Sequence, residues 1–112
     1  MHELSLCKAI SGIVERHAGG RQVSTVHLDV GALRQVVPDS LTFCWGLANA
    51  GTPWETSELD VRLVPARLTC LDCGATTELT EPFLVCGTCE GRAVTIASGD
   101  ELLVTSIDLV DA

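Results

Sequence analysis

Residues 70–91 read CLDCGATTELTEPFLVCGTCEG, and this stretch divides the chain into two kinds of structure. Cys70 and Cys73 form one CxxC pair, and Cys86 and Cys89 form a second after twelve intervening residues. Two residues between thiolates let one tight turn aim both sulfurs at one ion. Two such turns on neighbouring hairpins supply four ligands in the tetrahedral geometry that zinc prefers. Gly74 and Gly87 stand where backbone N–H groups would turn toward the sulfurs, and relieve crowding there. A closed four-sulfur shell leaves no open coordination position, so the site reads as structural rather than catalytic. The same spacing also suits a rubredoxin-type iron centre or two redox-active pairs. Residues 75–85 are too few to build a core, so metal binding supplies most of the folding free energy of this insert.

Outward from the cysteines the pattern changes. Residues 4–18 are amphipathic: Leu6, Cys7, Ile10, Ile13, Val14 and His17 share one helical stripe, with Lys8, Glu15 and Arg16 off it. Gly19-Gly20 ends that helix. Residues 23–30 alternate, with Val26, Leu28 and Val30 inward and Thr25, His27 and Asp29 outward; Gly31 marks a bulge or a close backbone approach. Pro38-Asp39-Ser40 starts a second helix, with Asp39 or Ser40 as its cap. Leu41, Cys44, Leu47 and Ala48 form its inner stripe, and Trp45 and Trp54 pack at helix edges. Residues 57–64 alternate with Leu59, Val61 and Leu63 inward. Residues 94–97 are a short β-branched segment. Residues 101–110 form a last strand, with Leu103, Thr105, Ile107 and Leu109 on one face.

These elements predict an α/β (α+β) two-layer sandwich, a three-stranded sheet covered by two helices, with a zinc ribbon inserted into it. The domains are residues 1–66 with 94–112, and residues 67–93 for the ribbon.

The chain has 112 residues, 46% of them hydrophobic, enough for a real core. Seven Lys+Arg stand against fifteen Asp+Glu, for a formal net charge of -8. That balance argues against nucleic acid and against an anionic membrane surface, and suits cations or a basic protein partner. No apolar run approaches a membrane span, and His2, Glu3 and Lys8 interrupt what would be a signal peptide. A cytoplasmic protein with reduced cysteines is expected, and metal binding outranks disulfides. No catalytic triad, phosphate-binding glycine loop or activated nucleophile can be assembled, so an enzyme is not expected. Cys7 and Cys44 read as small hydrophobes on helix faces; if they face each other, oxidation could link the two helices. His17 and His27 read as surface histidines.

The first residues, Met1-His2-Glu3, allow a second metal chemistry. The Met1 amine and the His2 backbone nitrogen close a five-membered chelate ring. The His2 backbone nitrogen and its own imidazole Nδ1 close a six-membered one. Glu3 can add a fourth donor. Planar nitrogen sites of this kind favour Ni(II) or Cu(II), and protons compete for both the amine and the imidazole. A solvated terminal histidine is the alternative reading of the same residues.

MHELSL at the start, Val23-Ser-Thr-Val-His-Leu-Asp-Val-Gly31-Ala-Leu33, Pro38-Asp-Ser-Leu-Thr-Phe43, Gly51-Thr52, Val64-Pro65, the paired CxxC knuckles and Ser98-Gly-Asp-Glu-Leu102 together resemble the HypA family of hydrogenase maturation factors. The match runs the length of the chain in order. The resemblance implies a nickel metallochaperone that delivers Ni(II) to the large subunit of nickel–iron hydrogenase, working with a HypB-type GTPase. It implies nickel contacts at His2, with Met1 and Glu3 in support and Asp39 as a further contact. It implies zinc at Cys70, Cys73, Cys86 and Cys89, and a monomer or weak homodimer is expected. Two departures stand out. Trp45-Gly46 replaces the family's Phe-Glu pair, and Gly87 and Glu90 replace the usual proline and glycine of the second knuckle. The competing functions are a zinc-ribbon adaptor that docks proteins without moving nickel, and a rubredoxin-like electron carrier.

Overall fold

The computed structural model describes residues 2–81 and 83–110, with His2 described by its backbone alone. Helix α1 spans His2–Ala18, strand β1 Val23–Gly31, and helix α2 Pro38–Ala48. A single 3-10 turn, Ala32–Arg34, lies between β1 and α2. Strands β2 (Glu58–Val64), β3 (Arg67–Cys70), β4 (Thr76–Glu78), β5 (Val94–Ser98) and β6 (Leu102–Leu109) follow. They form two three-stranded sheets, ordered β2-β1-β6 and β4-β3-β5. The fold is α+β, as the sequence predicts. The chain divides into two compact units, residues 1–29, 36–62 and 103–112, and residues 30–35 and 63–102.

In the first unit, α1 and α2 pack on each other and bury Ile10, Val14, Ala18, Leu41 and Trp45 with Val23, Val26 and Leu28 of β1. The inner face of β1 follows its alternation from Val26 onward, and Val23 is buried as well. The stripe of α1 holds except at its end, where Ala18 is buried and His17 exposed.

The second helix departs from expectation. Its buried side chains are Leu41 and Trp45, whereas Leu47 is 65% exposed and Phe43 70% exposed. The sequence PDSLTFCWGLA is apolar nearly all round, so periodicity leaves its facing open. The helix turns its largest side chain inward, because an indole has the most apolar area to remove from water. Asp39 and Ser40 do not cap it. Val37 holds the N-cap position without a side-chain hydrogen bond, and Pro38 opens the helix. Proline has no N–H to satisfy and a φ already set for the first turn, which moves Asp39 inside the helix.

A buried polar network supports this packing. Ser11 Oγ donates to Asn49 Oδ1 at 2.6 Å, and Asn49 Nδ2 donates to the Trp45 carbonyl at 2.8 Å. Trp54 Nε1 donates to Asn49 Oδ1 at 2.9 Å, and Trp45 Nε1 to Ser57 Oγ at 2.8 Å. Both tryptophans are therefore core residues rather than edge residues. Among the described residues no buried side-chain nitrogen or oxygen lacks a partner.

Two strands also differ from expectation. Leu63 of β2 is 54% exposed, and so is Leu103 of β6. In β6 the half-buried positions are Leu102 and Val104, then Ile107 and Leu109. Leu102-Leu103-Val104 is apolar on both parities, so the alternation does not single out a face there.

The second unit contains β3, paired antiparallel with both β4 and β5. Val30, Ala66, Leu68, Cys70 and Cys86 are its buried apolar residues among those described. Gly31 is the close approach its sequence suggests: a Cβ there would run into the Gly99 carbonyl. Leu33 N–H donates to that same carbonyl at 2.8 Å.

Candidate metal centre

Cys70 closes β3, and Cys73 lies in the turn that follows. Gly74, at φ +77°, lets the chain reverse into β4. Its N–H donates to the Cys70 carbonyl at 3.0 Å, while Cys70 N–H donates to the Ala75 carbonyl at 2.9 Å. The second knuckle repeats this frame: Glu90 N–H donates to the Cys86 carbonyl at 3.0 Å and Cys86 N–H to the Gly91 carbonyl at 2.9 Å. Glu90 takes φ +62°, the conformation Gly74 takes in the first knuckle.

Each frame turns N–H groups toward its first sulfur. Cys73 N–H faces Cys70 Sγ at 3.5 Å, and the N–H groups of Thr88 and Cys89 face Cys86 Sγ at 3.4 and 3.5 Å. Gly87 has another task than the sequence suggests: its N–H donates to Thr77 Oγ1 at 2.9 Å, tying the second knuckle to β4. The glycine that makes room for a sulfur is Gly91, where a Cβ would stand 3.2 Å from Cys89 Sγ.

The four thiols converge. Cys70 Sγ lies 3.6 Å from Cys89 Sγ, and Cys73 Sγ lies 3.6 Å from Cys86 Sγ. All four sulfurs are within 4.8 Å of one another, and none is in a disulfide. A tetrahedron with metal–sulfur bonds of about 2.3 Å has edges of about 3.8 Å, so one ion fits at the centre. Among the described residues this is the one group of three or more His, Cys, Asp or Glu side chains close enough to share an ion.

The electrostatics favour a cation. The Cys73 and Asp72 N–H groups hold the Cys70 thiol below its usual value. Those of Cys89 and Thr88 pull Cys86 down to about 6. The other two thiols move the opposite way. The Gly91 N–H favours the Cys89 thiolate, but the sulfurs of Cys70 and Cys86 outweigh it and push Cys89 up to about 12. Cys73 is raised likewise, its Ala75 N–H being outweighed by Cys70 and Cys86. Two sulfurs ionise readily and the next two are opposed by the charge already present. A dication among them removes that opposition and lets all four act as thiolates.

The expected nickel residues are distributed as follows. Met1 and the His2 side chain lie outside the described residues. Glu3 is half-buried in the first turn of α1, and Asp39 is exposed in the first turn of α2. Cys7 Sγ meets the Leu41 carbonyl at 3.5 Å, and Ser11 meets Asn49. The pairings 7 with 41 and 11 with 49 advance together, so the two helices run in the same general direction. Glu3 and Asp39 are therefore at the same end of the pair, each within about a turn of the Cys7–Leu41 contact at 1.5 Å rise per residue.

The remaining candidates separate clearly. Burial, then Cys44 and Glu3, push the Cys7 thiol up to about 11, so it is an inert core thiol. His17 is exposed. His27 is more than a surface histidine, since both ring nitrogens meet carboxylates, Asp60 at 2.8 Å and Asp108 at 2.9 Å. No helix among the described residues is long and apolar enough to cross a membrane.

The sequence profile of a family described as hydrogenase/urease nickel incorporation, metallochaperone, HypA, matches residues 1–109. Among curated proteins, the hydrogenase maturation factor HypA of Rhizobium leguminosarum bv. viciae is 36% identical over 113 residues, covering 98% of this chain and 100% of the relative. That of Acidithiobacillus ferrooxidans is 38% identical over 112 residues, covering 97% and 99%. That of Nostoc sp. is 34% identical over 109 residues, covering 97% and 96%. Among solved structures, the solution structure of the Ni metallochaperone HypA from Helicobacter pylori superposes with a TM-score of 0.71. It covers 100% of both chains at 20% identity, a likeness of fold.

Proposed function

Because this chain belongs to the HypA family of nickel metallochaperones for hydrogenase maturation, we propose that it carries Ni(II) at its amino-terminal end and delivers it to the large subunit of nickel–iron hydrogenase, with a HypB-type GTPase as partner. The ligands of this reading are the Met1 amine, the backbone nitrogen and imidazole of His2, and Glu3, with Asp39 as a further contact. The protein is a carrier rather than a catalyst, and its free thiols suit the cytoplasm.

One observation carries the reading: α1 begins at His2. The first four N–H groups of a helix have no intrahelical acceptor, so the backbone nitrogens of His2 and Glu3 are not committed to the ladder. They are available to a metal without melting a turn. The partial positive charge at a helix N-terminus opposes a bound cation, and the carboxylates of Glu3 and Asp39 at that end of the helix pair offset it. A cargo ion must be released, and a site so balanced suits weak, exchangeable binding. His27 is an unsuitable competitor, since carboxylates occupy both of its nitrogens.

The four-cysteine centre is read as a structural zinc site. In this reading residues 1–66 and 94–112 are the nickel-binding domain, and residues 67–93 the zinc-binding domain. Colourless protein with one equivalent of zinc supports it, whereas red protein containing iron points to the electron carrier.

Nickel titration tests the carrier. Wild type should bind one Ni(II) with a dissociation constant on the order of micromolar. His2→Ala should abolish binding with an unchanged denaturation midpoint, and so should a short extension ahead of Met1, which removes the amine from its chelate ring. Full affinity in both proteins would leave the zinc-ribbon adaptor as the better description.

A further inference from the structure

The outward face of the β2-β1-β6 sheet carries an arrangement that nickel and zinc do not use. His27 lies on the central strand, Asp60 on one neighbour and Asp108 on the other. His27 Nδ1 is 2.8 Å from Asp60 Oδ2, and His27 Nε2 is 2.9 Å from Asp108 Oδ2. A neutral imidazole has one N–H and one lone pair. With one carboxylate on each nitrogen, the neutral ring would set its lone pair against an anion on one side or the other. Only the imidazolium donates to both. We propose that His27 is a pH-responsive clasp, a doubly paired imidazolium that joins all three strands of this sheet and loses one of its two ties on deprotonation.

The surrounding charges favour this state. On β1, Asp29 shares the outward face with His27 and accepts two hydrogen bonds from Arg62 of β2, at 2.9 and 2.7 Å. Glu58, Asp60 and Arg62 alternate along the outward face of β2, and Asp108 is the carboxylate on β6. Thr105 of β6 is neutral and donates its hydroxyl to the His27 carbonyl at 3.2 Å. Four carboxylates thus face one arginine and His27, and the arginine holds Asp29. Hydrogen bonds from His27 to Asp108 and Asp60 raise its pKa above the ordinary histidine value. The folded state therefore binds the proton more tightly than the unfolded chain. The clasp's contribution is complete below the unfolded-state pKa and is lost as pH rises through the folded-state pKa.

Ring 15N and 1H NMR on the full chain with its metal bound tests this. At neutral pH both His27 nitrogens should carry protons, and the titration midpoint should lie above that of an unfolded-chain histidine. Asp60→Asn and Asp108→Asn should each lower the midpoint, and the double variant should lower it further. In parallel, the wild-type denaturation midpoint should fall as pH rises from the unfolded-chain histidine pKa through the higher folded-state one, and this fall should shrink in His27→Gln. An ordinary midpoint in wild type, a midpoint unmoved by both asparagine variants, or an equal fall with pH in His27→Gln would each overturn the proposal. Should His27→Gln fail to fold, the asparagine series decides alone, since Asn keeps the shape of Asp and removes its charge.

Discussion

Single residues decide how tightly the two helices of the first unit are joined. Asn49 is fully buried and connects Ser11 of α1, the Trp45 carbonyl of α2 and the Trp54 indole. Asn49→Ala removes these partners together and leaves buried polar groups unpaired. A loss of about 2–3 kcal/mol is expected in urea denaturation, with Trp54 Nε1 falling back on Ser11 Oγ. Glu90 shows the reverse case. Its φ of +62° is left-handed backbone that glycine adopts without a Cβ clash. Glu90→Gly relieves that strain but gives the unfolded chain more freedom, so a net gain of up to about 1 kcal/mol is expected from thermal melting of the metal-bound protein. The burial of Asn49 does not follow from its residue type, because its partners lie far along the chain. The sequence marks Glu90 as standing where the resembled family has glycine, and its left-handed backbone is the physical reason that position favours one.

At the scale of elements, α2 is where pattern and packing part. Its sequence offers more apolar residues than one face can bury, and the choice of Trp45 over Leu47 is made by the partner surface. Leu47→Glu should therefore change stability by no more than about 0.5 kcal/mol, as at an ordinary exposed site. Trp45→Ala should cost about 3–5 kcal/mol by the same denaturation measurement, through the cavity it leaves. Equal effects at the two positions would contradict the observed facing of the helix. Helix α1 was legible because its polar residues confine the apolar ones to one stripe, and β1 because Val26, Leu28 and Val30 leave one parity polar. Strand β6 was not, because Leu102, Leu103 and Val104 are interchangeable across the pleat.

For the whole molecule, the consequence is a division of stability. The first unit has helices and a buried polar network, and should fold on hydrophobic burial. The second has short strands and few buried apolar residues, with two of its buried positions occupied by Cys70 and Cys86. Stripping the metal with a chelator should unfold the second unit while α1 and α2 persist, seen as retained helical circular dichroism with loss of amide protection in residues 63–102. Loss of both units together would mean that the first depends on the metal as well.

The pairing of thiols within each CxxC turn was legible in local sequence, because two intervening residues confine both sulfurs to one turn, whereas the approach of Cys70 to Cys89 and of Cys73 to Cys86 came from the fold. The α+β class followed from periodicities of two and of 3.6 residues, which are properties of neighbouring residues along the chain. What the sequence could not reach depends on pairing at long range. The burial of Asn49, the facing of α2, and the meeting of His27 with Asp60 and Asp108 join residues far apart in the chain. Only the register of strands and the seating of one helix on another brought those groups within bonding distance.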